Sequence, residues 1–302
     1  MLTQQETVKQ SSSFKIASKL QDYKLLIKFN LSFMVAFSAV ISYLLAPKVT
    51  VYDWKAILIL FLGGLLVAGS ANAINQIVEK DTDSMMKRTA NRPVAAGRMS
   101  INEGWAFALI AGLAGTWLLS NFNFLTAALA IASLFIYAFV YTPLKKVSSI
   151  SVLVGAVPGA LPCLIGWAAG NDDLSAGGWI LFALQFFWQF PHFWAIAWIA
   201  HRDYSEAGFR LLPSREGPDK YSAIQSIVYS LFLLPVGVLP YFFGMSGLPS
   251  LVAVFIANIW MIWQCIRLYR EMTAKAARRV MFSSYIYLPL VLLVLLMDKI
   301  KV

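Results

Sequence analysis

Charge is what this sequence has least of. Asp, Glu, Lys and Arg make up 13% of the 302 residues, against 59% hydrophobic residues and a mean hydropathy of +0.67. Soluble domains carry about 25% charged residues, so a soluble fold is excluded. Cysteine is nearly absent too. Cys163 and Cys265 both fall inside apolar runs, which leaves no disulfide framework and no thiolate metal site. Histidine occurs only as His192 and His201, and no Ser-His-Asp or Cys-His arrangement suggests itself for nucleophilic catalysis.

What is present is a succession of apolar runs, at roughly 26–46, 54–78, 101–120, 123–141, 148–170, 176–199, 222–243, 246–268 and 278–297. About 20 residues at 1.5 Å each cross a hydrocarbon core of about 30 Å. Backbone groups cannot go unpaired in lipid, so such runs are helices. The expected fold is an all-α integral membrane protein of about nine transmembrane helices. Residues 26–298 form one polytopic membrane domain, and residues 1–25 read as a polar cytoplasmic tail with no apolar signal segment.

The net charge of +10 follows from topology. Lys80, Lys87, Arg88, Arg92, Arg98, Lys145, Lys146, Arg202 and Arg210 lie in alternate connections, which the positive-inside rule assigns to the cytoplasm. The other connections are short and hold little beyond Lys48, Asp53, Asp172 and Asp173. The expected surroundings are therefore the lipid bilayer of the cell (inner) membrane, with no nucleic-acid partner.

The most informative stretch leaves the second run as Asn72-Ala-Ile-Asn75-Gln-Ile-Val-Glu79-Lys-Asp81-Thr-Asp83. If the helix continues, Asn75, Glu79 and Asp83 stack on one face, one turn apart. Stacked carboxylates repel unless a cation lies between them, and a hard oxygen set suits Mg²⁺ shared with substrate phosphates. A solvated helix end with ordinary salt bridges is the plainer alternative. Arg88 and Arg92 follow at helical spacing, where guanidinium forks can hold phosphate oxygens, and Pro93 is expected to end the helix. Tyr141, Lys145 and Lys146 at the exit of the fourth run, with Arg202, complete the candidate diphosphate-binding group. Asp203, in His201-Arg202-Asp203-Tyr204-Ser-Glu206, returns an acid to the same face and is a further candidate metal ligand.

Within the sixth run, Gln185-Phe-Phe-Trp188-Gln189-Phe190-Pro191-His192-Phe193-Trp194 sets amides, an imidazole and a helix-breaking proline at membrane depth. Polar groups there are functional candidates. His192 suits an iron ligand of a haem or a hydrogen bond to a neighbouring helix. Trp194 and His201 are further haem-contact candidates.

These residues resemble the UbiA-type intramembrane prenyltransferases. That family's Asn-x-x-x-Asp-x-x-x-Asp motif is matched by Asn75, Glu79 and Asp83, and Arg88-Thr-Ala-Asn-Arg92-Pro93 is similar to its continuation. Glu79 at the middle position, Tyr141-Thr-Pro-Leu-Lys145-Lys146, Pro191-His192-Phe193-Trp194 and Asp203-Tyr204-x-x-Ala207-Gly208 resemble the branch that farnesylates protohaem IX. The resemblance covers roughly residues 25–297. Two departures stand out: the second acidic motif is reduced to Asp203 and Glu206, and Phe209-Arg210-Leu-Leu-Pro213 differs from the branch's usual Ile-Pro-Met-Leu-Pro.

The resemblance implies a helical bundle around a central cavity and a Mg²⁺-dependent transfer of a farnesyl group from farnesyl diphosphate to haem b. Haem is then a substrate and not a bound cofactor. Haem A synthase or oxidase-assembly factors are the implied protein partners. The alternatives are a UbiA-type enzyme acting on an aromatic or quinone precursor, and a haem transporter without chemistry.

Overall fold

The computed structural model describes residues 18–214 and 216–300, so most of the stretch read as a tail lies outside the described residues. The helices in chain order are α1 Ser18–Leu26, α2 Phe29–Leu45, α3 Trp54–Val78, α4 Lys80–Met85, α5 Ile101–Ser120, α6 Phe124–Phe135, α7 Thr142–Leu144, α8 Ser151–Asn171, α9 Ala176–Ile199, α10 His201–Glu206, α11 Lys220–Leu231, α12 Leu233–Phe242, α13 Leu248–Glu271 and α14 Ala274–Met297. A π-helical segment, Ile136–Tyr141, joins α6 to α7. Among the described residues, eight helical units are long and apolar enough to cross a membrane. The pair α1–α2, bent by 54°, makes a ninth if counted as one span.

Polar residues set where the helices start. Asp53, Ser100, Asn123, Asp219 and Thr273 each accept a backbone N–H in the first turn of α3, α5, α6, α11 and α14. The outward faces are apolar: Leu109, Ile110, Leu113 and Trp117 of α5 are each more than 60% exposed, as lipid contact requires and water would penalise. Among the described residues, this is the all-helical multi-pass membrane architecture expected.

Helix α8 is the most enclosed span. It packs against α2, α6 and α9, and α9 continues to α14 and α11. Close approach rests on glycine: a Cβ at Gly166 would overlap the Ala39 carbonyl oxygen of α2, and one at Gly159 would overlap the Gln189 amide of α9. At the end with short connections, Lys299 Nζ donates to the carbonyls of Leu44, Ala46 and Val49, each at 2.8 Å, closing the C-terminus of α2. The charged connections gather at the opposite end.

Three expectations about local structure are corrected. The first span is not one run from residue 26. It breaks at Lys28, and the chain is already helical from Ser18, with α1 tied to α5 by Lys19 and Tyr23 on Glu103, each at 2.8 Å. Pro93 does not end the helix after the acidic stretch. Helix α4 stops at Met85, Met86 is extended, and Arg88 and Arg92 lie in consecutive turns. Pro191 does not break α9, which runs through it to Ile199; tight packing on α8 and α14 outweighs the one missing hydrogen bond.

Candidate active site

The acidic residues descend from α3 as the spacing requires, although the helix is kinked at Glu79 (φ −95°, ψ 12°). The i→i−4 bonds survive the kink: Glu79 N donates to Asn75 O at 3.0 Å and Asp83 N to Glu79 O at 2.7 Å. Asn75, Glu79 and Asp83 therefore share one face, and all three are at most 4% exposed. They line a cavity of about 190 Å³ at the charged end of the bundle, together with Lys28, Arg88, Arg92, Tyr137, Tyr141, Lys145, Tyr204 and Phe209.

Each of the three residues faces a cation of the chain. Lys28 Nζ donates to Asn75 Oδ1 at 2.8 Å. Arg92 Nη1 straddles both oxygens of Asp83, at 2.7 and 2.6 Å, and leaves the rest of its guanidinium without a side-chain partner among the described residues. Lys145 Nζ lies 2.5 Å from Glu79 Oε1, yet that oxygen has no directed hydrogen bond, so the pair is Coulombic without being aligned. Asn75 is oriented by what surrounds it. The Thr142 hydroxyl donates to Tyr137 O at 2.9 Å, so it can only accept from Asn75 Nδ2, at 3.3 Å, and Oδ1 is turned into the cavity.

The aromatic wall is set by two irregular pieces of backbone. Pro143 has no N–H and its ring crowds the carbonyl four residues back; the preceding turns open into the π-helical segment, with Thr142 N bonded to Tyr137 O. That register brings Tyr137 and Tyr141 to the cavity. After α10 the chain turns at Gly208 (φ 79°): Phe209 N donates to Tyr204 O at 2.8 Å and Gly208 N to Ser205 O at 3.0 Å, a Schellman ending. Its hydrophobic contact is the Tyr204–Phe209 ring pair, 6.0 Å apart. Phe209, at the unusual position of its motif, and Tyr141 hold the Lys145 ammonium between their rings at 5.3 and 4.9 Å. Tyr204 takes Arg88 on its ring face, 5.3 Å from the centroid, and accepts from Arg88 Nη2 at 2.6 Å.

The structure brings together Asn75, Glu79, Asp83, Arg88, Arg92, Tyr141 and Lys145. It leaves six candidates outside the cavity. Asp203, one residue before Tyr204, does not reach the lining. Lys146 and Arg202 are exposed, and Arg202 pairs with Glu206 on its own helix. His192 faces α14, with Nδ1 2.8 Å from Ser284 Oγ and its ring stacked on Trp188. Trp194 packs edge-on to Tyr229 of α11, and His201 lies beside Gly217. His192 and Trp194 point to other faces of α9 than Phe193 and Ile196, which do line the cavity. Lys28, Tyr137, Tyr204 and Phe209 are site residues that the sequence reading missed. Lys28 carried a signal, being the one charge inside the first apolar run.

Among the described residues no three His, Cys, Asp or Glu converge on one point. The candidate metal set is thus one amide and two carboxylates. It fits Mg²⁺: the donors are hard oxygens, nearly fully buried, sharing one cavity, and Glu79 Oε1 lacks a directed partner.

Residues 35–287 match the UbiA prenyltransferase family. The chain is 44% identical over 286 residues to the protoheme IX farnesyltransferase of Cytophaga hutchinsonii, covering 94% of this chain and 100% of that protein. It is 41% identical over 290 residues to the protein of the same name from Flavobacterium psychrophilum, covering 94% and 96%. In fold it is similar to a digeranylgeranylglyceryl phosphate synthase structure, with a TM-score of 0.78 at 22% identity, covering 94% of this chain and 100% of that one. It is also similar to a UbiA homolog from Archaeoglobus fulgidus bound to GPP and Mg²⁺, with a TM-score of 0.60 at 13% identity, covering 91% and 99%.

Proposed function

The chain belongs to the UbiA prenyltransferase family, and on that premise we propose that it transfers a farnesyl group from farnesyl diphosphate to a vinyl group of protohaem IX, with addition of water, giving haem O and diphosphate. One observation carries the reading: Asn75, Glu79 and Asp83 share a buried cavity with a surplus of cations, in a chain similar over nearly its whole length to proteins named protoheme IX farnesyltransferase.

Four cationic side chains face two carboxylates in that cavity, an imbalance that favours a polyanion. Arg88, Arg92 and Lys145 are the groups that would take up phosphate oxygens, Arg92 through the nitrogens it does not spend on Asp83. Magnesium, held by Asn75, Glu79 and Asp83, would supply Lewis-acid neutralisation of the leaving diphosphate. Asp203 is left out of that set because it lies outside the cavity.

The chemistry asks for stabilised charge and no protein nucleophile. The bond between farnesyl C1 and the diphosphate oxygen breaks, with its electron pair leaving on oxygen. The vinyl π electrons form the new carbon–carbon bond to C1. Positive charge then rests beside the porphyrin, where water adds and releases a proton. The ring faces of Tyr137, Tyr141, Tyr204 and Phe209 are suited to an allylic cation, and Val152, Phe193, Ile196 and Leu211 form an apolar wall. The cavity would open to the cytoplasmic face, since the Lys- and Arg-rich connections gather at that end. The product would pass to haem A synthase or oxidase-assembly factors.

Protein reconstituted in lipid nanodiscs with Mg²⁺ and farnesyl diphosphate, given haem b or 4-hydroxybenzoate, tests this. Mass spectrometry should find haem b plus farnesyl plus water, lost with EDTA. A farnesyl adduct on the benzoate alone would overturn haem as acceptor. Donors of other lengths in the same assay decide the prenyl chain.

A further inference from the structure

The break in the first span is held open by side chains of the helix that carries the acids. Lys28 has φ 48° and ψ 58°, a left-handed conformation that non-glycine residues seldom adopt. The break leaves the carbonyls of Leu26 and Ile27 without backbone partners and Leu25 O with only the tightened bond from Lys28 N at 3.2 Å. Gln76 Nε2 donates to Leu25 O and Leu26 O, both at 2.9 Å. Ser32 Oγ donates to Ile27 O at 2.7 Å, and Asn72 Nδ2 reaches Ile27 O at 3.4 Å and Ser32 Oγ at 3.1 Å. Gln76 serves the break while its own Oε1 stays buried without a partner. The outcome of this arrangement is that the Lys28 ammonium enters the acidic cavity and takes Asn75 Oδ1.

We propose that Lys28 is a further diphosphate-binding residue, one that holds Asn75 Oδ1 while the site is empty and passes to the diphosphate when a metal ion takes that oxygen. The inference rests on the prenyl-diphosphate reading above. A single amide oxygen cannot serve an ammonium and a divalent cation together, because the two cations would repel across about 3 Å of enclosed space. The lysine stem is flexible and its ammonium compact, so Lys28 can turn while the framed backbone stays fixed. Once displaced, a half-buried ammonium needs an anion, and Glu79 and Asp83 already face Lys145 and Arg92. The entering diphosphate supplies it. Lys28 thereby disfavours metal binding alone and favours metal with diphosphate, which guards the site against filling with a bare cation.

Lys28→Met and Lys28→Arg in the full chain, reconstituted in nanodiscs without haem, test this through two binding measurements. In Lys28→Met, farnesyl diphosphate should bind about ten- to a hundred-fold more weakly at fixed Mg²⁺, whereas Mn²⁺ alone, followed by its electron paramagnetic resonance, should bind more tightly. Lys28→Arg should restore most of the farnesyl diphosphate affinity. Opposite shifts cannot come from a damaged fold. Unchanged farnesyl diphosphate affinity, or affinities for both ligands falling together, would overturn the proposal. Gln76→Leu, which removes a support of the break, should weaken farnesyl diphosphate binding and add nothing to Lys28→Met; an additive loss counts against it. Because haem is absent throughout, a wrong acceptor would leave these results intact, and failure here would leave haem product formation by the unaltered chain intact.

Discussion

Glu79→Gln keeps the shape of the side chain and removes its charge, which separates what the Glu79–Lys145 pair does for stability from what it does for chemistry. The side chains are 5% and 9% exposed, with Nζ 2.5 Å from Oε1. Breaking a buried ion pair from one side typically costs about 3–5 kcal/mol. The rings of Tyr141 and Phe209 still hold the ammonium, so we expect a net loss of about 2–4 kcal/mol after that discount. At about 2–4 °C per kcal/mol for a chain of this size, the Tm should fall by roughly 5–15 °C. The double variant Glu79→Gln with Lys145→Met replaces the pair by neutral groups of similar volume and should recover most of that loss. Turnover should not recover. Both single variants and the double variant should stay at least about a hundred-fold down, because stability returns without the oxygen and the ammonium that face the diphosphate. Thermal unfolding in nanodiscs, followed by tryptophan fluorescence, and product mass from haem b are the two readouts. A double variant as unstable as the two single losses added together, or full turnover in Glu79→Gln, would refute the reasoning.

Gly166→Ala should lower stability by about 1–3 kcal/mol or more, since the new Cβ meets backbone of α2 that cannot rotate aside; the unfolding midpoint checks it. His192→Ala should cost about 1–3 kcal/mol through the lost bond to Ser284, while farnesyl diphosphate affinity stays unchanged because the ring faces α14. Equilibrium binding reads the second part. Hydrogen bonds from the Asn171 side chain, then from Ser175, hold the Asp173 carboxyl down to about 2. A depressed pKa contributes stability that is complete above the ordinary carboxylate value and is lost as pH falls towards 2. Asp173→Asn should therefore flatten the unfolding midpoint between about pH 4 and pH 2, and an unchanged acid limb would count against it.

Run length and hydropathy anticipated the spans closely: the run at 54–78 is α3, that at 101–120 is α5 and that at 176–199 is α9. The four-residue spacing of Asn75, Glu79 and Asp83 survived a kink it did not foresee, because i→i−4 bonds tolerate a local change of φ and ψ. Local pattern failed where a partner from elsewhere decided the backbone. The break at Lys28 reads as a continuous apolar helix until Gln76 and Asn72 of α3 satisfy its carbonyls, and Pro191 reads as a breaker until packing carries α9 through it.

By itself the sequence determined that this chain is a helical membrane protein with an acidic face at one helix exit, because length, hydropathy and helical period are properties of the chain taken in order. Only the tertiary structure decided which cations meet those acids. Lys145 and Arg92 turn inward, Lys146 and Arg202 turn out, His192 faces a neighbouring helix, and Lys28 reaches Asn75 across 47 residues of chain. The direction of a side chain depends on how its helix is rotated against its neighbours, and that rotation is set by packing between residues far apart in sequence.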